Sequence, residues 1–377
     1  MNICVVSPSY PTKKTIVFVF VDQLVKAFAD QGANVTVIAP QSLTRCLFHG
    51  DPLVRKHTTI TTNKGNRFEL FRPIYLSLGN GRFNKLTRLF FNRAVARGFK
   101  RMNEKPDVLY GHFWSSIASL LPLSMKYNIP LFGASGEENV SFYDKFTVYE
   151  KQELRRQIKG LISVSSKNKH ECTTLNLIDE SRIKVIPNAV DLNLFEGYDK
   201  QTCRDALGIK QSDFVVGFMG QFVSRKGTLR LDDALRMINH DDIKAIFIGS
   251  GVEDPNYQNI IFKGRLNHDS IPRYLTACDA FVLPTENEGC SNAIVEALAC
   301  GLPVVSTDAT FNYDILNKDN SILIDCHDIT QIASAILALQ SDSVLRNRLS
   351  SGARKMASEL SLEHRATKIL KFIQELI

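Results

Sequence analysis

Pro284-Thr285-Glu286-Asn287-Glu288-Gly289-Cys290-Ser291-Asn292-Ala293-Ile294-Val295-Glu296-Ala297-Leu298-Ala299-Cys300-Gly301-Leu302-Pro303-Val304-Val305-Ser306 is the stretch on which the reading of this chain turns. It follows an apolar run at 280–283, passes through a small polar loop containing Gly289, and enters a helical pattern at 293–299. A second β-branched run, 303–306, comes directly after Gly301. Strand, polar loop, helix and strand form the repeating unit of parallel α/β architecture. Ile294, Ala297 and Leu298 fall on one helical face and predict its buried side, whereas Glu296 points away from that face. The helix start offers unsatisfied N–H groups and the positive end of a dipole, a place where phosphate binds.

The same alternation extends in both directions. Runs at 2–7, 34–39, 107–110, 131–134, 161–164 and 184–186 read as strands, with helical patterns at 20–31 and 115–126. The pattern restarts with strands at 214–219 and 244–248 around a helix at 228–238. Between the halves, Pro187-Asn188-Ala189-Val190-Asp191 and the polar residues 198–203 supply turn formers and place a boundary in the region 187–205. Helical patterns at 329–339, 345–356 and 362–377 close the chain. The predicted fold class is α/β, with two Rossmann-like domains, 1–187 and 188–361, facing across a cleft, followed by C-terminal helices. The last helix, about 362–377, is expected to pack back on the first domain. Ligands of such folds lie outside the carboxyl ends of the strands.

A chain of 377 residues exceeds what one hydrophobic core holds, and 44% hydrophobic with 23% charged residues is the composition of a globular protein. No apolar run reaches the length of a spanning helix, and the stretch 16–21 is too short for a signal-peptide core. Eight scattered cysteines without a C-x-x-C pair argue against a disulfide framework or a zinc site and for a reducing cytoplasm. The net charge of +7 originates in residues 1–150, where 19 Lys and Arg face 10 Asp and Glu. Part of it forms the run Arg82, Lys85, Arg88, Arg93, Arg97, Lys100, Arg101 and Lys105, interleaved with Phe83, Leu86, Phe90, Val95, Phe99 and Met102. A basic amphipathic helix of this kind fits an anionic membrane surface and, equally, a solvated helix whose apolar face is core. Arg93, Arg97 and Arg101 share one face in that reading. No nucleic-acid motif accompanies the charge, so no nucleic-acid partner is expected.

The opening stretch resembles the E-x7-E region of the family 4 retaining glycosyltransferases, whose form is close to P-S-x-x-E-G-F-G-x-x-x-x-E-A-x-A-x-G-x-P-V-V. Gly220-Gln221-Phe222-Val223-Ser224-Arg225-Lys226-Gly227 is similar to that family's G-R-x-x-x-x-K-G loop. Lys184-Val185-Ile186-Pro187-Asn188-Ala189-Val190-Asp191 with Phe195 resembles its hinge, read here as mainly structural, and Phe262-Lys263-Gly264-Arg265 resembles its base-recognition loop. The resemblance covers almost the whole chain, with the specific motifs in the second half. It implies the GT-B fold, an acceptor-binding first domain and a donor-binding second domain. It also implies sugar transfer with retained anomeric configuration from a UDP-, GDP- or ADP-sugar, with no cofactor and no metal. The acceptor class it implies is a saccharide or lipid-linked saccharide of polysaccharide or glycolipid synthesis, met in the cytoplasm or at the inner membrane face. In this resemblance Glu288 approaches the donor sugar hydroxyls, Glu296 bonds the ribose, and amides around Gly289, Cys290, Ser291, Asn292 and Ala293 meet sugar and phosphate. Lys226 supplies the cation for the donor diphosphate. Gln221 stands where the family has arginine, with Arg225 as the substitute, and Arg265 belongs to the donor contacts.

The first half departs from the family. Tyr10-Pro11 and Asp22-Gln23 keep the usual order, but the bulky segment 12–19 replaces a glycine-rich phosphate turn. Where the family often has histidine near the reacting carbon, this chain reads Ala134-Ser135-Gly136-Glu137, making Glu137 or Ser135 the candidate. His112, beside Phe113 and Trp114, either lines the acceptor side or is a structural residue. Two other classes remain open at this point: a sugar-nucleotide 2-epimerase and a non-catalytic nucleotide-sugar binder. A dinucleotide oxidoreductase is disfavoured because Gly249-Ser250-Gly251 meets Asp254 where the third glycine belongs. A glycosidase would have no use for a phosphate-binding lysine loop.

Overall fold

The apolar run at the N-terminus forms β1 (Asn2–Val6), the amphipathic pattern after it α1 (Val19–Asp30), and the next run β2 (Asn34–Ile38). There follow β3 (Gln41–Ser42), α2 (Leu43–His49), β4 (His57–Thr61), β5 (Arg67–Phe71), β6 (Ile74–Tyr75) and α3 (Asn84–Phe99). Then come β7 (Val108–His112), α4 (Trp114–Tyr127), β8 (Leu131–Ser135), α5 (Val148–Gln157), β9 (Ile158–Ser163), α6 (Ser166–Thr174) and β10 (Ile183–Val185). This computed structural model describes residues 1–12, 18–79, 84–140 and 146–377. Arg82, Phe83 and most of the segment 12–19 lie outside the described residues.

Eight of these strands make one sheet in the order β10-β9-β8-β7-β1-β2-β5-β4, and β3 and β6 pair apart from it. Every neighbouring pair is parallel except the β4–β5 hairpin at one edge. The strand order reverses direction between β1 and β7, as in a doubly wound Rossmann sheet. Covered on both faces, β7 and β8 are buried at every residue and read in sequence as continuous apolar runs.

The second half contributes α7 (Leu192–Phe195), α8 (Lys200–Leu207), β11 (Phe214–Phe222), α9 (Thr228–Ile238), β12 (Ile243–Gly251), β13 (Ile260–Gly264) and α10 (Ile271–Thr276). It continues with β14 (Ala280–Leu283), α11 (Asn292–Ala299), β15 (Val304–Thr307), β16 (Ser321–Ile324), α12 (Ile329–Ser341) and α13 (Ser343–Glu359). Its sheet is wholly parallel, β13-β12-β11-β14-β15-β16, and reverses between β11 and β14. A Cβ on Gly249 would stand 1.8 Å from the Gly220 carbonyl oxygen, and one on Gly251 2.1 Å from that of Phe222. These glycines therefore permit close approach of β12 to β11, which accounts for the G-x-G pattern without a dinucleotide.

The last helix, α14 (Leu362–Leu376), belongs to the first unit: Met1–Ile186 with Leu362–Ile377 forms one compact body, and Pro187–Ser361 the other. Ile369, Phe372 and Ile373 of α14 join Val25 and Phe28 of α1 in one core cluster. Burying each such side chain contributes about 1.5–3 kcal/mol. Gly160 makes room for this helix, since a Cβ there would meet Phe132, Phe372 and Leu376 within 2.9 Å. The opposite face of the sheet carries a second cluster containing Val95, Phe99, Trp114, Ile117 and Leu120.

The basic segment needs one correction. Helix α3 ends at Phe99, and Arg101 sits in the turn beyond it, so Arg93, Arg97 and Arg101 do not share a helical face. Arg97 Nη2 donates to the Ile74 carbonyl (2.5 Å), and Arg88 pairs with Glu150 (2.5 Å) while covering the Phe146 ring. No helix among the described residues is long and apolar enough to cross a membrane.

Candidate active site

In the second unit the loops after β11 and β14 emerge side by side, because these strands are neighbours at the point where the order reverses. That switch point is where doubly wound sheets place their ligands. The chain leaves β11 through a 3₁₀ turn, Ser224–Lys226, and enters α9 at Gly227 with φ 74°. A Cβ on Gly227 would also fall 2.3 Å from the Pro284 carbonyl oxygen, so both backbone conformation and space demand glycine. The two loops are joined through their backbones. Glu286 N and Thr285 Oγ1 donate to the Arg225 carbonyl (2.8 and 3.2 Å), and Arg225 Nη1 donates to the Asn287 carbonyl (2.7 Å). Arg230 adds bonds to the Pro284 carbonyl (2.9 Å) and to Glu286 (2.8 Å).

This arrangement brings the charged candidates together. Lys226 Nζ donates to Glu288 Oε1, the same oxygen that accepts from Thr285 Oγ1 (3.0 Å) and lies 3.5 Å from Arg225 Nη1. The Lys226 and Glu288 side chains are only 14% and 11% exposed. The turn before Gly227 carries Lys226 to the carboxylate. Immediately after Glu288, the buried loop Cys290–Ser291 leads into α11, and Ser291 at its N-cap makes no side-chain capping bond. The first amides of α11 are thus not covered by their cap residue, which suits an oxyanion. Asn292 begins the helix, with its Oδ1 buried and unpartnered among the described residues, and Ala293 follows it. Asn188 Nδ2 donates to the Cys290 carbonyl (2.9 Å), so the Pro187–Asp191 segment fastens this loop.

Ile294, Ala297 and Leu298 are fully buried, which turns Glu296 to the other side of α11. There it meets a residue that sequence patterns did not single out: His268 Nε2 lies 3.3 Å from Glu296 Oε1, and its ring stands edge-on to Phe195 at 5.6 Å. The bond to Glu296 is the main cause that raises the His268 pKa above 6.5. Gln221 and Arg265 occupy a neighbouring edge. Gln221 is exposed and pairs in register with Ser250, whose Oγ accepts from Arg265 Nε at 2.5 Å.

The remaining candidates belong to the first unit. Glu137 accepts from Trp114 N (2.7 Å), Gly136 N (3.0 Å) and Ser135 Oγ (3.1 Å), so it caps the positive end of α4. Burial raises the pKa of its carboxyl, against the lowering effect of these donors. Phe113, which joins β7 to α4, adopts φ 70° and ψ 155°, a region almost reserved for glycine and worth about 1–3 kcal/mol of strain. Its N donates to the Ala134 carbonyl and its own carbonyl accepts from Ser116 and Ile117, which holds the strained turn. His112 is buried against Phe113 (4.7 Å) and Phe20 (5.4 Å), with Nδ1 unpartnered among the described residues. Burial lowers its pKa to about 3, so the ring is neutral near pH 7.

Two parallel Rossmann-type sheets, one with a lysine loop and an E-x7-E loop meeting at its switch point, define a glycosyltransferase of the GT-B fold that uses nucleotide-sugar donors. Residues 199–356 match the family model for glycosyl transferases group 1, and residues 17–194 match that for Glycosyltransferase Family 4. The chain belongs to the family 4 glycosyltransferases. It is 26% identical over 364 residues to the putative teichuronic acid biosynthesis glycosyltransferase TuaC of Bacillus subtilis, covering 91% of this chain and 90% of that one. It is 30% identical over 225 residues to an Escherichia coli UDP-Gal:alpha-D-GlcNAc-diphosphoundecaprenol alpha-1,3-galactosyltransferase, covering 55% of this chain and 58% of the relative. Among solved structures, Anabaena HepE with UDP-glucose superposes over 100% of both chains with a TM-score of 0.72 at 19% identity. Sucrose-phosphate synthase from Thermosynechococcus elongatus reaches 0.77 at 18% identity, over 100% of this chain and 98% of that one. At these identities the structures speak for the fold.

Proposed function

We propose that the protein is a retaining hexosyltransferase that moves a sugar from a nucleoside-diphosphate sugar to a saccharide or lipid-linked saccharide in polysaccharide or glycolipid synthesis. The observation that carries the reading is the meeting of Lys226 and Arg225 with Glu288, beside the uncapped start of α11. In the reaction the bond from the anomeric carbon to the diphosphate breaks as a bond to the acceptor oxygen forms, and the acceptor's hydroxyl proton passes to the departing diphosphate. Negative charge grows on the departing phosphate oxygen, where Lys226, Arg225 and the α11 amides stabilise it. Glu288 then turns its acceptor capacity to the sugar hydroxyls, and Glu296, oriented by His268, holds the ribose. Arg265 and Gln221 lie on the base side of this arrangement. Glu137 acts by fixing the strained Phe113 turn, since both its oxygens already accept bonds.

The acceptor class follows the relatives, one named for teichuronic acid biosynthesis and another for a diphosphoundecaprenol-linked acceptor. A cytoplasmic membrane face suits such an acceptor. Lys85, Arg93 and Lys100 are exposed together with Leu86 and Leu89 of α3 and with Leu47 and Phe48 of α2. This combination of basic and apolar groups fits an anionic lipid surface. The test is incubation with UDP-, GDP- and ADP-sugars and candidate acceptors, with the product anomer read by NMR. Transfer with retention is expected. Epimerised sugar nucleotide, or tight binding with no turnover, overturns the proposal.

A further inference from the structure

β5 ends at Phe71, and the residue after it, Arg72, is a charged side chain that is 8% exposed. A guanidinium removed from water calls for a counter-charge or a full set of hydrogen bonds. Among the described residues Arg72 has no salt-bridge partner and an incomplete set of hydrogen bonds, and Asp22 acts on it only at longer range. Nη1 reaches Thr58 Oγ1 only at 3.4 Å, Nη2 reaches the Pro11 carbonyl at 3.2 Å, and Nε has no partner. Its carbon stands 5.7 Å from the centre of the Tyr10 ring, a cation–π contact that carries no negative charge. Two acids stand in this region: Asp22 already accepts from Tyr10 (2.6 Å) and pairs with Lys26 (2.7 Å), and Asp51, which lines the same cavity, pairs with Arg45 (2.8 Å).

The side chain lines a cavity of about 140 Å³ with Ser9, Tyr10, Gln41, Arg45 and Tyr75. Its walls come from segments that leave the carboxyl ends of β1, β2 and β5, the side of the sheet where this architecture binds ligands. The backbone of Arg72 is fixed from below: Gln41 Nε2 donates to its carbonyl (3.1 Å) and to that of Val54 (3.0 Å). Arg45 lies at the rim, 62% exposed, and is paired with Asp51 (2.8 Å), an exposed contact from which it can swing to a ligand.

We propose that this cavity is an oxyanion subsite for the acceptor, with Arg72 as its central donor and Arg45 as a second cation at the mouth. The ligand is a phosphate, diphosphate or carboxylate carried by the acceptor, recognised through the guanidinium fork rather than through sugar hydroxyls. The inference rests on the glycosyltransferase reading for the word acceptor, but the anion site itself stands on the geometry of Arg72. Its residues belong to the first unit and the lysine loop to the other.

The test is calorimetric titration of the full chain carrying Arg225→Ala and Lys226→Ala, which removes the donor-side cations. Two probes are used: inorganic pyrophosphate and D-glucuronate. Binding of at least one is expected, and adding Arg72→Gln should weaken it about tenfold or more, the loss of a charged hydrogen bond. Arg45→Gln should weaken it less, and circular dichroism checks each fold. If Arg72→Gln does not fold, Ser9→Leu fills the cavity with Arg72 in place and should abolish binding. Pyrophosphate binding alone identifies a phosphorylated or lipid-diphosphate acceptor, and glucuronate alone an acidic sugar; either supports the subsite. No binding of either probe, or equal binding after Arg72→Gln and Ser9→Leu, overturns it. Separate titration of the wild type with UDP, GDP and ADP reports on the donor reading, so the two failures are distinguishable.

Discussion

Replacing Glu288 by glutamine separates what this carboxylate does for the fold from what it does for the reaction. In the protein without donor, its Oε1 accepts from Lys226 Nζ and from Thr285 Oγ1 at 3.0 Å, and Arg225 Nη1 lies 3.5 Å away. Removing one member of a buried ion pair costs about 3–5 kcal/mol. The glutamine amide keeps one acceptor oxygen, and the side chains retain 14% and 11% exposure, so the lower end is expected. A loss of about 3 kcal/mol in a unit of this size lowers its melting midpoint by roughly 6–12 °C. A nucleoside diphosphate acts in the opposite sense. It no longer competes with a carboxylate for Lys226, so it binds the variant more tightly than the wild type. At a concentration of about 100 times its Kd it returns roughly 2.7 kcal/mol. Turnover nevertheless falls, because the contact with the sugar is lost as charge develops. Differential scanning calorimetry with and without UDP, GDP or ADP, together with steady-state turnover, measures all three effects. An unchanged midpoint with wild-type turnover would refute the reasoning, and so would nucleotide binding weakened alongside stability.

Further outcomes follow from the same geometry. Lys226→Ala should lower turnover by about 10²–10³ while the protein remains folded, measured by kinetics and circular dichroism. Glu296→Gln should weaken nucleotide binding more than it lowers the saturated rate, because a ribose contact exists in ground and transition states alike. The raised His268 pKa means that its protonated form is favoured by folding, so this stabilisation is complete below pH 6.5 and fades as pH rises through the folded value. Melting curves at several pH values should therefore show a larger alkaline decline in the wild type than in His268→Gln, and parallel curves would remove the His268–Glu296 interaction from the account. Reversing Lys85, Arg93 and Lys100 to glutamate should release the protein from anionic vesicles in flotation at low salt. The attraction is worth about 1 kcal/mol per basic residue, and equal binding to neutral vesicles would contradict it.

Legibility in the sequence followed burial. β11, β14 and β15 are covered on both faces, so their apolar runs announced them, and the helices after β11 and β14 supplied the period. β4 was not legible, because His57-Thr58-Thr59-Ile60-Thr61 is a polar edge strand that alternates between exposed and half-buried residues. α3 was legible as a basic helix but not in its end, since Phe99 closes it by packing into the core and Arg101 continues the pattern only on paper. At the site, Glu288, Glu296 and Lys226 stood out because they belong to long strings with fixed spacing. His268, Thr285 and Arg230 did not, as each acquires its partner only when loops from different strands converge. No local periodicity reports such a tertiary contact, and the cavity at Arg72 was hidden for the same reason.

The pairing of Lys226 with Glu288 also explains how a cationic donor site can exist before the donor arrives. Arg225, Lys226 and the start of α11 gather positive charge where little water reaches, which is unfavourable unless something neutralises it. Glu288 does so from the loop that the β11 and β14 connections hold in place. In the proposed reaction the incoming diphosphate takes over that neutralisation, and Glu288 is released toward the sugar hydroxyls. The site is then close to balanced in both states, and the carboxylate is freed only when a diphosphate is present. A ligand with a sugar but no diphosphate leaves Lys226 and Glu288 engaged with each other, so the ion pair itself selects for nucleotide-activated sugars.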